Sequence, residues 1–141
     1  MELQEKLVDA AFQGNLVLVK NLLNEISDIN LCGRSWNPLH AAIENENFEC
    51  VKLLIENGAD IEFLNGTEQN TLNSGMSPLA HAVEISIDGS IQSNAAPGEE
   101  PTEIVNYLLS KGAKPNTAIE TAISYNNQKF TYLLNKAISG S

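Results

Sequence analysis

The segment LVDAAFQGNLVLVKNLLNEISDI, Leu7 to Ile29, lies over LHAAIENENFECVKLLIENGADI, Leu39 to Ile61, at an offset of 32 with no gap. Self-similarity at such a period confines a chain to stacked architectures, because one unit cannot bury its own apolar face without a neighbour. Val19 and Lys20 fall on Val51 and Lys52, Leu22 on Leu54, and Asp28 and Ile29 on Asp60 and Ile61. A third copy opens at Ser77, Pro78 and Leu79 and resumes at EIVNYLLSKGAKPN, Glu103 to Asn116; a fourth, TAIETAISYNNQKFTYLL, runs from Thr117 to Leu134.

Each copy has the pattern of two short helices. Asn37 before Pro38, and Ser77 before Pro78, place a side-chain acceptor ahead of a proline at the first helical position. Leu39, Ala42 and Ile43 then form an i, i+3, i+4 stripe, repeated as Leu79, Ala82, Val83 and as Ile119, Ala122, Ile123. After a polar break, FECVKLLIENG supplies a second helix with Phe48, Val51, Leu54 and Ile55 on one face and Cys50 in its core pattern. Gly58 and Gly112 stop the second helices, since glycine accepts the left-handed conformation after a helix end. Ala41 and Ala42 let neighbouring helices approach closely.

With these residues in hand the chain resembles the ankyrin repeat family. NPLHAA (Asn37 to Ala42) is similar to the family's Thr-Pro-Leu-His-x-Ala signature with Asn for Thr, and ENGADI (Glu56 to Ile61) is similar to its Gly-Ala-Asp ending. The resemblance implies an all-α solenoid of helix-turn-helix units joined by β-turn finger loops. It covers residues 1–141 as a single domain, with repeats at about 1–32, 33–64, 73–116 and 117–138. It also implies that His40 makes a structural hydrogen bond between turns or repeats. The second copy alone is near ideal: the first lacks the Pro-Leu-His turn, the third has Ala80 for histidine, and the fourth has Ala118 and Glu120 for Pro and His.

Three length changes interrupt the pattern. The connection from Asp60 to Pro78 is eight residues longer than that from Asp28 to Pro38, and that from Lys114 to Ala118 is six shorter, which reduces the last finger to a tight turn. Pro38 to Gly58 is 20 positions and Pro78 to Gly112 is 34, so about fourteen extra residues lie near 86–101. Within them EISIDGSIQS alternates apolar and polar residues around Asp88 and Gly89, a hairpin signal. NAAPGEEPT follows as a loop. Two readings stand: a mobile insertion tolerated at low entropic cost, and a contact element specific to a partner.

Eighteen acids against eight bases give a net charge of −10, and residues 44–103 alone hold twelve acids and one base, Lys52. Such a field repels phosphate backbones and anionic lipid and speeds encounter with a positively charged protein. Direct nucleic-acid binding is excluded on this ground. No apolar run approaches the roughly 20 residues of a membrane span, and the N-terminal MELQEKLVDAAFQ lacks the layout of a secretory signal. A cytoplasmic monomer with reduced Cys32 and Cys50 is the expectation.

Candidate chemistry is sparse. Two cysteines and two histidines without paired spacing do not make a zinc site, and no phosphate loop, GxSxG or HExxH is present. The expectation is no cofactor and no enzyme. The rival from another class is a metal-dependent regulator or enzyme using His81, Cys32 and the acidic insertion. The resemblance implies instead that finger tips and the exposed side of each first helix bind a protein. Position by position that implicates Arg34 and Trp36 in the first finger, and Ser74 and Met76 in the second. It implicates Phe12, Gln13, Glu44, Asn45, Glu84, Ile85, Ser124 and Tyr125 on the first helices. His81, off the buried stripe, is expected to face the same groove. The functional expectation is a non-enzymatic module that docks a basic protein by occlusion. Its specific forms are an immunity protein covering a toxin such as a nuclease, a small ankyrin-type kinase inhibitor, and an adaptor tethering two proteins.

Overall fold

The computed structural model describes residues 2–30, 36–64, 75–94, 96 and 98–140. These form α1 (Leu3–Gln13), α2 (Leu16–Leu23), α3 (Pro38–Glu44), α4 (Phe48–Glu56), α5 (Pro78–Gln92), α6 (Glu103–Ser110), α7 (Ile119–Ser124) and α8 (Gln128–Gly140). A single 3-10 turn, Pro115–Thr117, precedes α7. The helices pair as four hairpins. α1, α3, α5 and α7 make an inner row, each packed on the next, while α2, α4 and α6 stack behind them as a second row. The chain is an all-α repeat solenoid.

The inner helices start as their sequences dictate. Asn37 Oδ1 accepts from the His40 amide at 2.9 Å and Ser77 Oγ from the Ala80 amide at 3.1 Å, each satisfying an amide that the first helical turn leaves unpaired. Ala118, at the start of α7, has no side chain that can do this. Gly58 and Gly112 hold φ of 99° and 95° just past the ends of α4 and α6.

The core is the seam between hairpins. Leu39, Ala41, Ala42, Ile43, Val51, Leu54, Leu79, Val83, Leu108, Ala118, Ala122, Phe130 and Leu134 are fully buried, and Cys50 is buried with them. Burying one Leu- or Val-sized side chain is worth about 1.5–3 kcal/mol, so the stripes account for why each hairpin needs its neighbour. Polar bonds lock the register of the stack. Asn47 Nδ2 donates to the Ala11 and Phe12 carbonyls at the end of α1, and Asn30 Oδ1 accepts from the Asp60 amide at 2.7 Å. Glu62 Oε2 accepts from the Lys114 amide at 2.8 Å.

The insertion is not a hairpin. The turn after an inner helix needs one left-handed residue, and Gly14 (φ 75°), Glu46 (φ 53°) and Asn126 (φ 52°) occupy that position in the first, second and fourth hairpins. In the third, the corresponding Ser86 is helical, and the left-handed residue is Asn94 (φ 57°), eight positions later. α5 is therefore lengthened by about two turns. Val83, Ser86, Ile87 and Ser90 are all buried, so the helical period of 3.6 outweighs the alternation around Asp88 and Gly89. Gly89 is small for a different reason than a turn: a Cβ there would stand 3.3 Å from Glu46 Oε1, where α5 passes over the α3–α4 turn. Residues 98–101 are tied down as a strap. Lys129 Nζ donates to the Gly98 carbonyl at 2.8 Å and the Glu100 carbonyl at 2.5 Å, Asn127 Nδ2 donates to Glu100 Oε2, and Ser86 Oγ donates to the Pro101 carbonyl.

Candidate partner-binding face

Successive inner helices bring one row of side chains together. Asn45 follows α3 and its Nδ2 donates to the Phe12 carbonyl at 2.8 Å, which joins the exposed Phe12–Gln13 end of α1 to the second hairpin. Glu44 lies near Asp88 of α5, Glu84 near both, and Tyr125 at the end of α7 is close enough to Glu84 and Asp88 for their charges to act on it. Phe12, Asn45, Glu44, Glu84, Asp88 and Tyr125 thus run across all four hairpins.

The row is electrostatically one-sided. Burial raises the Glu44 carboxyl above its ordinary value, and the Asp88 charge adds to it. Burial raises Glu84, with Asp88 and then Glu44 adding their repulsion. The Tyr125 phenol is raised by burial and then by Glu84 and Asp88. Each charge contribution comes from another acid, so a cation placed here would relieve repulsion that the folded chain carries.

A buried polar chain underlies the row. His40 Nε2 donates to the Phe63 carbonyl at 2.8 Å, His40 Nδ1 stands 2.9 Å from His81 Nδ1, and His81 Nε2 stands 2.7 Å from Glu44 Oε1. Trp36 stacks on His81 with ring centroids 5.1 Å apart and planes 15° from parallel. Burial lowers both imidazoles to about 4; at His40 the Phe63 hydrogen bond opposes the shift and His81 adds to it.

The expected site residues divide. Phe12, Gln13, Asn45, Ser124 and Tyr125 are exposed, and Glu44 and Glu84 are half-buried at the surface. Ser124 Oγ donates to the Thr121 carbonyl of its own helix at 2.9 Å. His81 is not open to the groove: it is 1% exposed, because Trp36 covers one ring face and His40 and Glu44 take up the two ring nitrogens. Ile85, half-buried, lines a cavity of about 60 Å³ together with Ile43, Glu46, Phe48, Pro101 and Glu103. Trp36 and Met76 are half-buried and pack on the core. Arg34, Ser74 and Cys32 lie outside the described residues. Asp88 belongs to the row and was assigned by the sequence to a turn. The stripe continuing from Val83 through Ile87 is the signal that places it.

Among the described residues no group of three or more His, Cys, Asp or Glu side chains is arranged to hold a metal. His40, His81 and Glu44 point at one another in a line and not at a shared centre. Among the described residues no helix is long and apolar enough to cross a membrane.

Comparison with known proteins agrees with this geometry. The family model for ankyrin repeats (3 copies) matches residues 7–92. An ankyrin repeat protein of Acanthamoeba polyphaga mimivirus is 31% identical over 108 residues, 74% of this chain and 35% of that protein. The 2-5A-dependent ribonuclease of Mus musculus is 36% identical over 62 residues, 43% of this chain and 8% of that protein. The chain belongs to the ankyrin repeat family, whose repeats are protein–protein interaction modules. It spans about a third or less of the length of these relatives.

Proposed function

We propose that the chain is a non-enzymatic docking module whose acidic inner row receives a basic surface of a partner protein and covers it. The observation that carries this reading is the set Glu44, Glu84 and Asp88, whose charges act on one another, flanked by Tyr125 and, further along the row, by Phe12. Acidic groups supply attraction and on-rate, and exposed aromatics supply the slow release. Phe12 at 40% exposed and Tyr125 at 36% have the area for this. Rigid stacking of the hairpins means little ordering is required on binding.

Of the specific forms, cover for a basic toxin such as a nuclease makes the fullest use of the charge, and it is the one we favour over a kinase inhibitor. An adaptor would hold two partners at once. The test is affinity capture on the wild-type chain and on a Glu84→Lys, Asp88→Lys variant, followed by mass spectrometry and a binding isotherm for the captured protein. The expected result is one basic protein held by the wild type and weakened by about tenfold or more in the variant. Equal retention by the variant contradicts the reading, and two partners bound together would select the adaptor.

A further inference from the structure

The directions of the hydrogen bonds running from Phe63 to Glu44 count the protons they need. A backbone carbonyl only accepts, so His40 Nε2 must carry a proton toward Phe63. One proton must lie between His40 Nδ1 and His81 Nδ1, and one between His81 Nε2 and Glu44 Oε1. That makes three protons for three links. Two neutral imidazoles and a carboxylate bring only two.

We propose that His40, His81 and Glu44 form a proton-dependent latch between the second and third hairpins. With the third proton every link is made and the unit has no net charge. Without it the Glu44–His81 link opens and a carboxylate charge is delivered to the inner row.

The geometry decides which link opens. Phe63 fixes His40 as the Nε2–H tautomer, and His81 then donates through Nδ1 to His40 Nδ1, leaving the His81 Nε2 lone pair against Glu44. Moving the deficit inward would set two imidazole lone pairs, or a lone pair and the Phe63 carbonyl, against each other where both rings are buried. The Glu44 side chain is 33% exposed, so water can reach that end and carry the proton away. Burial disfavours a cationic His81 and a charged Glu44 alike, so the third proton sits on the carboxyl, whose O–H donates to Nε2. The charged or titratable groups facing Glu44 from α5 are Glu84 and Asp88 besides His81, and Tyr125 after α7 lies near Glu84 and Asp88. Within that set every charge is negative and favours uptake of the proton.

The test needs no partner, so its failure leaves the docking proposal standing and the reverse also holds. In the full chain, imidazole nitrogen-15 shifts should report His40 as Nε2–H and His81 as Nδ1–H at pH 8. On acidification the His81 Nε2 and Glu44 carboxyl signals should move with one common midpoint. An Nε2–H tautomer of His81 at pH 8, or separate midpoints for the two groups, would overturn the latch. Glu44→Gln supplies a permanent N–H toward His81. The shared step should vanish in it, and its unfolding midpoint should gain on the wild type as the pH rises through that step. A gap that stays constant with pH overturns the latch as well.

Discussion

The junction between the second and third hairpins and the one between the third and fourth are built by different chemistry. At the first, His40 and His81 bridge the inner helices and Trp36 stacks outside them. At the second, Ser77 Oγ and Thr117 Oγ1 meet at 3.0 Å, and nothing titratable lies between them. The apolar seam thins in the same direction. Ile43 and Val83 are fully buried, while their counterpart Ile123 is 58% exposed. The lesson is that apolar stripes are enough to stack a hairpin, whereas at the central junction two buried imidazoles add a dependence on protons; at the last junction the titratable contact is the Glu100 carboxylate with Asn127.

The contrast can be broken by mutation. Leu54→Ala removes a fully buried side chain from the centre of the seam and should cost about 2–5 kcal/mol in urea unfolding. Ile123→Ala should stay within about 0.5 kcal/mol. Comparable losses at the two sites would erase the difference between them.

Acid should act on the central junction. Both imidazoles have folded values near 4 against 6.5 unfolded, so on acidification the unfolded chain binds protons first. Their contribution is full above pH 6.5 and lost as the pH falls toward 4, with up to about 3 kcal/mol at stake per ring. Glu44, raised in the fold, has the opposite sign: its contribution is full below its unfolded value and fades as the pH rises through the folded one. One such group against two leaves the histidines dominant. Thermal unfolding between pH 8 and 4 measures the sum, and His81→Ala should flatten it by about half. At pH 7 that substitution leaves His40 without its partner and should cost about 2 kcal/mol, against about 1 kcal/mol for Thr117→Ala. The smallest effect is expected at the strap, where Lys129→Met should cost less than about 1 kcal/mol yet speed proteolytic cleavage near Gly98.

Most of the architecture was legible because it rests on period and punctuation. Leu39, Ala42, Ile43, Leu79, Ala82 and Val83 announce the inner row, and Asn37, Ser77, Gly58 and Gly112 mark its starts and the ends of the outer helices. The reduction of the last finger to a tight turn was equally readable, and the turn at Pro115–Thr117 matches it. What escaped depends on contacts between distant residues. Alternation around Asp88 and Gly89 reads as a hairpin until Glu46 and the α3–α4 turn are beneath it. His81 lies off the apolar stripe and reads as a groove residue, because only the fold brings His40, Glu44 and Trp36 around its ring. The acids of the row were visible singly, but Asp88 joins Glu44 and Glu84 only once α5 is known to continue past Ser86.

Where a partner sits on this solenoid is the central claim, and amide chemical shifts on titrating the captured partner into labelled chain measure it directly. The account predicts that perturbations cluster at Phe12, Asn45, Glu84, Asp88 and Tyr125 and shrink as salt is raised. Perturbations confined to α2, α4 and α6, with the inner row silent, would contradict it.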